Sequence, residues 1–64
     1  MVRINGENIE ADGKTILEYL NSAGYDLMRV AVELNDNIVP KVQYTDTILK
    51  NGDRVYVVCF VGGG

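Results

Sequence analysis

Between Thr15 and Gly24 this 64-residue chain carries its one stretch of helix-length periodicity, set among short runs that alternate apolar and polar residues. Ile16, Leu17, Leu20 and Ala23 recur at the spacing of one helical face. Thr15 with Glu18 three residues on forms a capping box, in which each side chain satisfies the other's orphan backbone N–H. Gly24 is placed to cap the other end. A single amphipathic helix cannot bury its own apolar stripe. It needs one face of a sheet, so the chain should fold as two layers, α on β.

The sheet is written around that helix. Val2-Arg3-Ile4 alternates, and Asn5-Gly6 after it is a strong tight-turn signal because both positions tolerate positive φ. A return strand then covers Glu7 to Ala11, with Ile9 and Ala11 inward. Tyr25 to Arg29 reads as a connector whose Leu27 and Met28 close one end of the core. Val30, Val32 and Leu34 share one face of a third strand, Asn35-Asp36-Asn37 is a turn, and Ile38-Val39 is a short extended piece ended by Pro40. Tyr44 to Leu49 lacks a clean period and is read as a crossover holding a single helical turn. After the turn at Asn51-Gly52-Asp53 comes the longest apolar run, Arg54 to Val61. This order, ββαββ with one helix packed on one face of a mixed four- to five-stranded sheet, is that of the β-grasp or ubiquitin-like fold. The reading expects one domain over residues 1–61 and a flexible glycine tail over 62–64.

Composition removes most chemistries. A chain this short buries only about 60% of its unfolded surface, so an enclosed ligand cleft would consume the core. Histidine, the usual general base near neutral pH and the commonest zinc ligand, is absent. One cysteine forms no internal disulfide and no paired metal motif. Nine acidic and six basic side chains give a net charge of −3, and the basic ones are scattered from Arg3 to Arg54. Nucleic-acid binding needs them clustered. No apolar run approaches a membrane span, and the N-terminus does not read as a signal peptide. The expectation is a soluble cytoplasmic domain that binds no metal or cofactor itself and is not an enzyme.

Along the last strand Val55, Val57 and Cys59 share one face, while Arg54, Tyr56, Val58 and Phe60 share the other. Arg54 resists burial, so the odd-numbered set should meet the helix and the even-numbered set should face outward. Tyr56, Val58 and Phe60, joined by Ala31, would then form an exposed cluster suited to docking a partner. The competing reading has Phe60 folding over the sheet edge to complete the core. Cys59 is expected as a buried structural thiol, without histidine or positive charge nearby to lower its pKa.

Gly62, Gly63 and Gly64 follow that strand directly. With glycine near 7% of residues, three at one chosen place arise about once in 3,000 chains, so the run calls for a mechanism. It has no Cβ to obstruct a narrow channel. Fully extended, it reaches roughly 10 Å beyond the folded body. A free α-carboxylate is anionic and a poor electrophile at neutral pH. Using it requires activation, most directly as a mixed anhydride with AMP. The sequence holds no phosphate-binding loop, so an enzyme partner must bring ATP and the active site.

Val30-Ala-Val-Glu-Leu-Asn35, Ile38-Val-Pro-Lys41, Leu49-Lys-Asn-Gly-Asp53 and Phe60-Val-Gly-Gly-Gly64 resemble the ThiS family of sulfur carriers of thiamine biosynthesis. The similarity runs from the Asn5-Gly6 turn to Gly64. The Gly-Asp turn and the glycine ending are shared across ubiquitin-like carriers, whereas the other two pieces are more specific. A crossover position often occupied by Trp in the family is Tyr44 here. The resemblance implies that a ThiF-type enzyme adenylates the Gly64 carboxylate with ATP and Mg²⁺. Sulfur from a cysteine desulfurase persulfide then yields a C-terminal thiocarboxylate, which a ThiG-type thiazole synthase accepts. Gly62 and Gly63 would thread the partners' channels. A MoaD-like carrier for molybdopterin synthesis shares the fold and the Gly-Gly ending but is usually longer. A plain ubiquitin-like interaction module would leave the glycines inert.

Overall fold

Two reversals with left-handed backbone set the sheet. Asn5 and Gly6 (φ 51° and 83°) join β1 (Val2–Ile4) to β2 (Glu7–Ile9), and Asn35 and Asp36 (φ 50° and 72°) join β3 (Val30–Leu34) to β4 (Asn37–Val39). Positive φ at both central positions matches the right-handed twist of the flanking strands, which makes each a tight antiparallel hairpin. The last strand, β5 (Arg54–Cys59), then enters between the two hairpins. It runs parallel to β1 and antiparallel to β3, giving a mixed five-stranded sheet of order β2-β1-β5-β3-β4. The computed structural model describes residues 1–60. The end of the expected final run at Val61 and the glycines Gly62, Gly63 and Gly64 lie outside the described residues.

Helix α1 (Ile16–Ser22) is satisfied at both ends by the pattern expected of it. Thr15 Oγ1 accepts from the Glu18 N–H at 3.1 Å, and Glu18 Oε1 accepts from the Thr15 N–H at 2.8 Å. The crossover takes the next two orphan donors: the Ile16 N–H donates to the Thr47 carbonyl and the Leu17 N–H to the Tyr44 carbonyl. At the far end Gly24 (φ 81°) lets Tyr25 donate back to the Leu20 carbonyl and Gly24 to that of Asn21, a Schellman closure. The helix buries Ile16 and Leu20 against Val2, Ile4, Val30, Val32, Val55 and Val57 of the sheet, with Leu49 and Tyr44 sealing the side. Each fully buried aliphatic side chain contributes about 1.5–3 kcal/mol. This helix across one face of a mixed sheet is the β-grasp architecture.

Four local expectations need correction. Ala23 is exposed, because the helix closes there and its face has passed the core. Met28 is 82% exposed. The Asp26 carboxylate accepts from the Met28 N–H and opens a short 3-10 turn, Leu27–Arg29, which packs Leu27 on the core and turns Met28 to water. The return strand ends at Ile9, although Ala11 is buried as expected. The single helical turn of the crossover lies at Lys41–Gln43, directly after Pro40, which presets φ (−63°) for the turn that follows.

Candidate partner-docking face

Burial alternates along β5, with Val55 and Val57 against the helix and Arg54, Tyr56 and Val58 on the open side. Tyr56, Val58 and, just past the strand, Phe60 are 54%, 49% and 59% exposed. Phe60 therefore does not fold over the edge to complete the core; its N–H donates to the Arg29 carbonyl at 2.7 Å and carries the ladder past the strand end.

Pairing registers arrange this face in rows. Ala31 stands opposite Val58, and Tyr56 opposite Glu33, which in turn faces Ile38 of β4. Ile38, 77% exposed, extends the apolar surface across the sheet to its edge. In the sequence alone Ile38 has no assigned face. Its signal was the alternation with Val39, whose burial turns Ile38 outward, but fixing its row required the register of the Asn35-Asp36 turn.

Cys59 corrects the sequence reading. It is exposed, not buried. Strand alternation sends it to the same side as Val57, but it is the last residue of the strand, opposite Val30 at the end of the ladder. Among the described residues, no group of three potential metal ligands comes together, and no helix is long and apolar enough to cross a membrane.

Asparagine and aspartate side chains hold β5 in place. Asn5 Oδ1 accepts from the Val57 N–H at 2.8 Å, and its Nδ2 donates to the Val57 carbonyl at 3.2 Å. Asn5 thus prolongs the β1–β5 ladder after its own backbone has turned away. On the other flank Asn35 Oδ1 accepts from the Arg54 N–H at 2.9 Å, and Asn35 Nδ2 donates to Asp53 Oδ1 at 3.1 Å. Asp53 is 5% exposed, and its second oxygen accepts from the Lys50 N–H at 3.0 Å. These bonds fix where the final strand starts and which way it points. The side chains of Tyr56 and Val58 thereby gain a rigid base.

Beside Tyr56 the face changes character. Arg3 and Arg54 stand in register on adjacent parallel strands, both outward, and with Gly6, Val55 and Tyr56 they line a notch of about 160 Å³. A cofactor cleft usually exceeds roughly 300 Å³. The notch has about half that volume.

The comparisons agree with this geometry. The family model described as the ThiS family matches residues 2–64. The chain is 41% identical over 64 residues to the sulfur carrier protein ThiS of Thermus thermophilus, covering 100% of both chains. It is 43% identical over 63 residues to the thiazole synthase of Paramagnetospirillum magneticum, covering 95% of this chain but only 19% of that protein. In three dimensions it matches the crystal structure of the thiamine biosynthesis protein ThiS from Geobacter metallireducens with a TM-score of 0.79 at 28% identity. That match covers 98% of this chain and 97% of the other.

Proposed function

This chain belongs to the ThiS family, and on that premise we propose that it is a sulfur carrier of thiamine biosynthesis whose reactive group is the Gly64 carboxylate. A ThiF-type enzyme joins that carboxylate to AMP, consuming Mg²⁺–ATP and releasing pyrophosphate. The terminal sulfur of a persulfide, supplied by a cysteine desulfurase, displaces AMP at the acyl carbon. A thiol then cleaves the acyl disulfide, its sulfur becoming part of a new disulfide, and leaves the carrier as a thiocarboxylate. A ThiG-type thiazole synthase takes the sulfur. The thiocarboxylate is a nucleophile held on a tether, so free sulfide is never released.

The folded body presents the tail and supplies no catalytic group. Gly62 and Gly63 thread the partners' channels, since a chain without Cβ fits where others clash. Tyr56, Val58 and Phe60 dock, with Ile38 widening the contact. Exposed apolar patches on small domains mark such surfaces. The observation that carries this reading is the family match running through residue 64, the glycines included. The thiazole synthase relative, which contains a stretch similar to 95% of this chain, supports the synthase as a partner.

Intact-mass spectrometry tests the mechanism. Incubation with a ThiF-type enzyme, Mg²⁺–ATP and a persulfide donor should raise the mass by the sulfur-for-oxygen difference. A chain lacking Gly64 should fold normally and show no shift. Thiazole formation supported by that truncated chain would refute the tail mechanism.

A further inference from the structure

The chain carries a net charge of −3, yet Arg3 and Arg54 stand side by side on its open sheet face. Like charges directly opposite on neighbouring strands repel, so the pairing by itself opposes folding. Arg54 Nη2 is partly answered by Asp36 Oδ2 at 3.1 Å, an exposed ion pair of little weight. No carboxylate among the described residues forms an ion pair with Arg3. Arg3 and Arg54 line the same small notch, together with Gly6 and Val55. Tyr56, the first residue of the docking face, forms another wall.

We propose that this notch receives a carboxylate side chain of the protein partner that docks on Tyr56, Val58 and Phe60. The inference rests on the carrier reading and deepens it by naming the charge of the partner's surface. Charge complementarity carries the assignment. Arginine presents forked donors suited to bidentate recognition of a carboxylate, and two arginines border the notch. The notch volume admits such a group with a few waters, since each water occupies about 30 Å³. Continuity with Tyr56 means that one rigid partner surface covers both the apolar rows and the arginines. The apolar rows supply contact area; the arginines fix orientation and hasten encounter.

The test is calorimetric binding of the full chain to a thiazole synthase from the same organism, repeated across salt concentrations. Arg3→Glu should weaken binding at least tenfold and reduce its salt dependence, and Arg54→Glu should act in the same direction. Lys14→Glu makes the same charge change at the turn before the helix and should stay within twofold of wild type. A reciprocal change of one partner acid to Arg should restore binding to the Arg3→Glu chain. Melting temperatures identify any variant that fails to fold, and Arg3→Gln then replaces it. If both arginine variants bind like wild type while Phe60→Asp does not, the notch proposal is wrong and the docking face stands. If Phe60→Asp also binds like wild type, or the wild-type chain does not bind, the docking reading fails and the notch with it.

Discussion

Asn5 performs two tasks that its position in a tight turn makes easy to confuse. Its backbone supplies positive φ, while its amide makes two bonds to Val57. Asn5→Gly separates them, because glycine keeps the turn and loses the bonds. The expected cost is about 1 kcal/mol, read as a lower denaturant midpoint with unchanged slope. An unchanged midpoint would reduce Asn5 to a turn former. Asp53 should matter more, since Asp53→Ala strands a part-buried Asn35 amide and the Lys50 N–H and costs about 1–3 kcal/mol by the same measurement. At this scale the sequence was readable where one residue's preference decides the outcome, as at Asn5-Gly6 and Thr15. The partners of Asn5 and Asn35 were not, because they lie 52 and 19 residues away and exist only once β5 is placed.

Among the elements, α1 is short for a helix that must anchor a whole layer, and its ends compensate. The first three helical N–H groups all find acceptors, from Thr47, Tyr44 and Thr15. Thr15→Ala should cost about 1 kcal/mol, seen as a fall of roughly 4–8 °C in Tm for a domain of this size. The last strand gives the opposite expectation. Phe60→Asp changes an exposed side chain and should leave Tm nearly unchanged while weakening partner binding. A large fall in Tm would show that Phe60 belongs to the core. Element order, the buried helix positions Ile16 and Leu20 and the outward set on β5 were legible because periodicity records them directly. Cys59 and Met28 were misplaced for different reasons: alternation gives the side Cys59 takes but not its exposure at the strand end, and Met28 is turned outward by the short turn that Asp26 caps.

At the scale of the whole molecule, one core supplies nearly all the stability, and two phenols border it. Burial raises the pKa of both Tyr44 and Tyr19 above 10.0. For Tyr44 the backbone of Val32 offsets part of that shift, and for Tyr19 the neighbouring charges of Tyr25 and Glu7 add to it. The folded state therefore favours the neutral phenols. Their contribution is fully present below the unfolded value near pH 10 and is lost as pH rises through the folded values. Tm should hold steady from neutrality to about pH 9 and fall above pH 10. Tyr44→Phe should soften that fall; an equally steep decline in the variant would assign it elsewhere.

The place of β5 in the sheet has a mechanical consequence. A final strand at an edge would peel away bond by bond when its end is pulled. This one is bonded to β1 on one side and β3 on the other. A pull along its axis therefore loads both ladders in shear, and their bonds must yield together. Single-molecule pulling through residue 60 should register that as a high rupture force, governed by the rate of unfolding.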